Sequence, residues 1–167
     1  MKRIEEIKPL LETPKRVVIT MHQKPDADAM GSSLALYHYL KQKGHEVTVI
    51  SPTNFPDFLN WMPGSHEVLD FESSQDKAMK ALEELLFCLD FNALYRTKNM
   101  EPHLAALNCV KILIDHHLEP QPVFDYGVSD TTAASTALLV YETIHKLGDE
   151  RYINDAMAQC IYAGTMT

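Results

Sequence analysis

The chain is poor in cysteine, poor in positive charge and free of long apolar runs. Its three cysteines, Cys88, Cys109 and Cys160, are odd in number and far apart, with no CxxC pair. That spacing excludes a disulfide framework and a thiolate zinc site, and makes a reducing cytoplasm the expected compartment. No apolar run approaches the ~20 residues of a membrane-spanning helix. The N-terminal MKRIEEIKPLLE breaks its apolar residues with charge, so neither a membrane segment nor a secretory leader is read from it. Lys and Arg number 15 against 23 Asp and Glu, a formal net charge of −8. Proteins that grip long duplex nucleic acid carry a basic face or stripe, and none is present, so long duplexes are set aside as partners. The acidity still admits a small phosphate-bearing ligand or a short strand end, because bound divalent cations invert the local field.

What is present is a regular alternation of strand and helix signals within a length that suits one domain. Ile4, Ile7, Leu10 and Leu11 recur at helical spacing, and Pro14 ends that element. Arg16–Met21 reads as a buried strand, Asp28 to Lys43 as a helix stopped at Gly44, and Glu46–Ser51 as a second strand. Residues 52–66 carry three prolines and the aromatics Phe55, Phe58 and Trp61, which are expected to anchor a long connection. Val68–Phe71 is a short strand candidate, Asp76 to Glu84 a helix, Leu85–Asp90 a buried strand, and Asn99 to Leu107 a short helix. Val110–Asp115 is a further buried strand. After a segment containing Val123–Tyr126, Asp130-Thr131-Thr132 reads as the cap of a helix to about Lys146, and Tyr152 to Ala163 as the last helix. Strand–helix–strand order predicts an α/β fold: a doubly wound, mostly parallel sheet of about five strands with helices on both faces.

Three of these strands end in polar residues able to bind metal: His22, Asp26 and Asp28; Asp90; and Asp115, His116 and His117. In a parallel sheet all three ends share one edge, where α/β proteins place ligands. Strands lie ~4.8 Å apart, so the carboxylates fall within roughly 5–10 Å of one another. Two carboxylates ~4 Å apart repel by about 4 kcal/mol at a surface-like dielectric, whereas a helix N-terminus returns only ~0.3–1 kcal/mol. Protonation or bound cations must settle the difference. Histidine and carboxylate without thiolate suit Mn²⁺ or Mg²⁺. Taken singly, Asp28 reads as a helix N-cap, His22 as a partly buried histidine, Asp90 as a turn residue, and Gly31, Ser32 and Ser33 as helix packing. The joint pattern favours a metal site.

HQKPDADAMGSS (22–33) resembles the first motif of the DHH phosphoesterases, and Asp115-His116-His117 is similar to the motif that names them. Asp90 stands where their second motif has its lone aspartate. SDTTAASTALLVYE (129–142) is similar to the helix start after the DHH motif in the nanoRNase/pAp-phosphatase branch, within the superfamily of the RecJ-type exonucleases. The resemblance implies a two-metal hydrolase. His22, Asp26 and Asp90 would hold one divalent cation, and Asp28, Asp90 and His116 the other. Mn²⁺ is the expected metal, with Mg²⁺ the alternative. His117 would face the phosphate as hydrogen-bond donor or general acid, and Asp115 would orient a histidine. Ser32, Ser33 and the backbone of that helix start would contact phosphate.

The resemblance covers residues 1–167 as a catalytic domain. YAGTMT resembles the lead-in to a fourth motif whose aspartate would come next, and the family's second, substrate-binding domain is not in this sequence. Weak metal retention and little activity are therefore expected of this polypeptide alone. The implied substrates are short oligoribonucleotides, 3′-phosphoadenosine 5′-phosphate or dinucleotides, with short single-stranded RNA or DNA as partner. A homodimer is neither required nor forbidden by the helix faces. The rivals are a manganese inorganic pyrophosphatase and a non-catalytic α/β nucleotide- or Mg²⁺-binding module.

Overall fold

A computed structural model describes residues 1–81 and 85–166. Seven strands form one sheet: β1 (Lys2–Arg3), β2 (Arg16–Thr20), β3 (Glu46–Ser51), β4 (Leu69–Asp70), β5 (Leu85–Leu89), β6 (Val110–Asp115) and β7 (Tyr126–Ser129). Every pairing is parallel, in the order β1-β7-β6-β5-β2-β3-β4. Among the described residues the α-helices are α1 (Ala27–Gln42), α2 (Gln75–Ala81), α3 (Glu101–Ala105), α4 (Thr136–Lys146) and α5 (Asp155–Met166). The sheet is doubly wound with seven strands rather than five. Of the two edge strands, β4 falls within the expected Val68–Phe71, whereas β1 has two residues, too short for a period-two pattern to register.

The central strands read as unbroken apolar runs because both faces are covered. Val17, Ile19, Phe87, Ile112 and Ile114 join the core under α1, α4 and α5. Their neighbours Val18, Leu86, Cys88 and Leu113 point the other way, to Phe71, Ala78, Leu94, Met100 and Leu104. From β2 the chain moves outward through β3 to β4, then returns to β5 on the other side of β2. The topological switch thus falls between β2 and β5, and their carboxyl ends open the crevice where such sheets bind ligands.

α1 is buried along most of its surface because α5 packs directly on it. A Cβ on Gly31 would lie 2.4 Å from the Cys160 carbonyl oxygen, and one on Gly164 would lie 2.7 Å from Ala137 Cβ. Only glycine lets these backbones approach so closely. Gly44, at φ +93°, turns the chain out of α1 as its position after Lys43 predicts.

Other local readings need correction. The first helical element is a 3-10 helix, Ile4–Leu11, with Pro9 inside it; Ile4, Ile7 and Leu11 are buried. In the 52–66 connection Phe55 packs partly buried against the core as expected, but Phe58 (69% exposed) and Trp61 (56%) face solvent, and Leu59 and Met62 are the buried anchors. The 3-10 turn Asp57–Leu59 turns Leu59 inward. α4 is capped by Ser135, whose hydroxyl accepts from the Leu138 N–H at 3.1 Å. Asp130 instead closes its own turn with the Thr132 N–H and hydroxyl. α5 begins at Asp155, because Glu150–Tyr152 forms a separate 3-10 turn. The helix expected over Asp76 to Glu84 is observed as far as Ala81, and positions 82–84 lie outside the described residues. No helix among the described residues is long and apolar enough to cross a membrane.

Candidate metal centre

Three carboxyl-edge segments build one polar cleft. After β2 the chain runs through His22 to Asp26, which caps α1 by accepting from the Ala29 N–H at 2.9 Å. The cap is therefore Asp26, and Asp28 lies inside the first turn. There its two carboxylate oxygens accept from the Thr136 and Ala137 N–H groups, at 3.0 and 2.9 Å. Asp28 thus satisfies two of the free amides at the start of α4, tying α1 to α4 beside the cleft. Asp90, just beyond β5, has φ +66°, a left-handed conformation uncommon for a non-glycine residue. Strain of this kind concentrates at functional sites. The turn buries its carboxylate to 3% exposure, where the Thr136 hydroxyl donates to Oδ1 at 2.9 Å.

The histidines converge on Asp90 from both sides. His22 Nε2 lies 3.3 Å from Asp90 Oδ2 and 3.7 Å from Asp26 Oδ1. His116 Nε2 lies 3.4 Å from Asp90 Oδ1 and 3.5 Å from Asp28 Oδ2. His22 Nδ1 is held by the Gln23 carbonyl at 2.7 Å, which leaves Nε2 for the carboxylates. His117 Nδ1 meets Oδ1 of the fully buried Asp115 at 2.6 Å, and the His117 N–H also donates to that carboxylate. Two donor groups result, His22–Asp26–Asp90 and Asp90–His116–His117, each with ligand atoms within 4.8 Å of one another.

The electrostatics are those of an acid cluster short of cations. Burial and the charge of Asp90 push the Asp28 carboxyl up to about 7, despite the two amides that donate to it. Burial disfavours a charged His22, yet its hydrogen bonds to Asp26 and Asp90 outweigh this and raise it to about 10. The contact with His22 holds Asp26 down to about 2. Without metal, protons on His22 and Asp28 relieve part of the repulsion. A divalent cation would displace them, and the imidazole and carboxylate donors fit such an ion.

The sequence model of the DHH family, N-terminal domain, matches residues 16–165. The chain belongs to the DHH family. It is 31% identical over 156 residues to the bifunctional oligoribonuclease and PAP phosphatase NrnA of Thermus thermophilus, covering 90% of this chain and 42% of that protein. The crystal structure of an exopolyphosphatase-related protein from Bacteroides fragilis superposes with a TM-score of 0.95 at 41% identity, over 98% of this chain and 48% of that one. The exonuclease RecJ bound to manganese matches at a TM-score of 0.59 and 16% identity, over 98% of this chain and 42% of that one, a likeness of fold. The chain spans less than half the length of each of these relatives. As a DHH-family domain it belongs to a family of phosphoesterases.

In this DHH-family domain the structure brings together His22, Asp26, Asp28, Asp90, His116 and His117, with Asp115 behind His117. Ser32 and Ser33 are not at the cleft. Both are fully buried, and the Ser32 hydroxyl donates back to the Ala29 carbonyl at 3.2 Å. Both lie about one turn further along α1 than Asp28, which carries them down the helix axis from the cleft into the packed interior. The hydroxyls near the carboxylates come instead from Ser135 and Thr165, which line the cleft, and from Thr136, which bonds Asp90. Residues 129–142 were legible as a helix start, but nothing in the sequence marks Thr136 as a partner of Asp90.

Proposed function

We propose that this domain is a two-metal phosphoesterase that hydrolyses phosphodiester or phosphomonoester bonds of small nucleotides: short oligoribonucleotides, 3′-phosphoadenosine 5′-phosphate or dinucleotides. The observation that carries the reading is that Asp90 is common to both donor groups. His22, Asp26 and Asp90 would hold one cation, and Asp28, Asp90 and His116 the other, Asp90 serving both. Mn²⁺ is the metal of choice, in keeping with the manganese of the RecJ structure, and Mg²⁺ is the alternative. The substrate class is supported by the name of the Thermus relative.

Two cations so held would withdraw charge from the phosphoryl oxygens and make water nucleophilic at neutral pH. The chain's own groups do the positioning. The Gln23 carbonyl and Asp115 fix the rings of His22 and His117 through Nδ1, leaving each Nε2 for the cleft. His117, whose side chain is half exposed, is placed to donate a hydrogen bond or a proton to a phosphate oxygen. Thr136 keeps the Asp90 carboxylate in one orientation.

The test is hydrolysis by the full-length protein, with and without Mn²⁺, of adenosine 3′,5′-bisphosphate, a short oligoribonucleotide and pyrophosphate. The expected result is Mn²⁺-dependent turnover of the nucleotides with pyrophosphate spared. Turnover of pyrophosphate without nucleotide cleavage would replace this reading with an inorganic pyrophosphatase. Metal binding without any turnover would favour a non-catalytic module.

A further inference from the structure

The cleft has a second half that the metal assignment leaves unused. On one side of His22, Asp90 and His117 lies a cavity of about 330 Å³ that also reaches Asp26, Asp28 and His116. On the other side the same three residues border a cavity of about 320 Å³ lined by Lys24, Arg96, Phe91 and Asn92. The first half holds carboxylates and imidazoles; the second holds two cations.

In a chain of net charge −8, placing both cations beside an acid cluster, yet on its far side, is informative. Neither Lys24 nor Arg96 forms an ion pair among the described residues. Their backbones, by contrast, are held. Lys24 has φ +49°, and its N–H donates to the Thr53 hydroxyl at 2.7 Å. The Gln23 N–H donates to the Arg96 carbonyl at 2.9 Å, joining the two segments across the cavity. The Arg96 guanidinium lies 5.3 Å from the Tyr95 ring centroid, which narrows its freedom without neutralising its charge. Two exposed cations on held backbones, with no ion-pair partner among the described residues, border a cavity of small-molecule size and are free to meet an anion. Arginine's fork is suited to phosphate.

We propose that this cavity receives a second phosphate of the substrate, one that is not cleaved, between Lys24 and Arg96. The scissile phosphate sits at the shared wall of His22, Asp90 and His117. The domain would thereby select nucleotides carrying two phosphates, nucleoside bisphosphates and 5′-phosphorylated dinucleotides, over nucleoside monophosphates. The proposal rests on the phosphoesterase reading of the metal centre.

The experiment is equilibrium binding of adenosine 3′,5′-bisphosphate, adenosine 5′-monophosphate and adenosine 3′-monophosphate to the Mn²⁺-loaded protein, in the cold. Wild type, Arg96→Gln, Arg96→Lys, Lys24→Gln and Asp90→Asn are compared. Wild type is expected to prefer the bisphosphate by roughly tenfold or more, the scale of a charge-assisted contact. Arg96→Gln should abolish that preference, Lys24→Gln should reduce it, and Arg96→Lys should keep part of it. Mn²⁺ binding and monophosphate binding should be unchanged in all three. No preference in wild type, or equal weakening of all three ligands by Arg96→Gln, overturns the proposal. The two readings fail differently. Binding that needs Mn²⁺ and Asp90 but ignores Arg96 overturns the subsite alone. Bisphosphate binding that depends on Arg96 yet survives removal of Mn²⁺ keeps the subsite and overturns the metal reading.

Discussion

Asp149 and Asp28 are both withdrawn from water, and the fold treats them in opposite ways. Asp149, after α4 and 5% exposed, accepts from the Tyr39 hydroxyl and from Lys43 Nζ at 2.8 Å, with Arg151 at 3.6 Å. Burial works against its charge, but Lys43 and Tyr39 hold its carboxyl below the usual range. Asp28 is met by two backbone amides and, at 3.5 Å, by His116 Nε2, with no lysine or arginine paired to it among the described residues; burial and the charge of Asp90 push its carboxyl up. A carboxylate that serves the fold is matched with cations on the spot. One that stands among other carboxylates is left short of counter-charge, a contrast that recurs at functional sites.

The sharpest way to break that comparison is Asp90→Asn. Mn²⁺ affinity should fall by more than ~100-fold, beyond what loss of a ligand's supporting partner costs, in a direct Mn²⁺ titration. The metal-free variant should also melt higher than wild type, because Asp28 loses its charged neighbour. Two ions bound as tightly as in wild type would remove Asp90 from its bridging place.

Asp149→Ala should do the reverse. It strands Lys43 and the Tyr39 hydroxyl and should cost about 3 kcal/mol in chemical denaturation, as breaking a buried ion pair does. Mn²⁺ affinity should stay as it was. A comparable loss of metal binding would mean the two sites are not separate in role.

A smaller effect is expected from pH. The folded Asp28 carboxyl, at about 7, binds its proton more tightly than the unfolded one at about 3.9, so metal-free stability falls as pH rises between them. His22, raised to about 10, contributes stability that is complete below about 6.5 and lost as pH climbs to about 10. Asp149 acts oppositely, with stability present above the usual carboxylate value and lost as pH falls below it. Mn²⁺ displaces the protons on Asp28 and His22, so the rise in melting temperature on adding Mn²⁺ should grow from pH ~6 to ~9. Thermal melts across that range check it, and a metal-induced shift that shrinks with pH would contradict the assignment of these ligands.

The fold was legible where burial on both faces makes a strand read as one apolar run: Arg16–Thr20, Leu85–Leu89 and Val110–Asp115. It was illegible at β1, where two residues carry no period, while β4 (Leu69–Asp70) falls inside the strand candidate Val68–Phe71. In the 52–66 connection, hydrophobicity was a partial guide: Phe55 packs against the core, but Phe58 and Trp61 are exposed and Leu59 and Met62 are buried instead. Of the site, His22, Asp26, Asp28, Asp90 and the Asp115-His116-His117 run were legible because each follows a recognisable strand.

The sequence by itself determined which strands end in metal-competent residues, because alternation and burial are written locally along the chain. Strand order, which sets β2 beside β5 and so brings His22 to Asp90, was decided only in the tertiary structure. So were the bonding of Asp28 to the first amides of α4, the burial of Ser32 and Ser33, and the placing of Lys24 beside Arg96. Each joins residues far apart in the chain or depends on position along a packed helix, and contacts of that kind exist only once the sheet and its covering helices have packed.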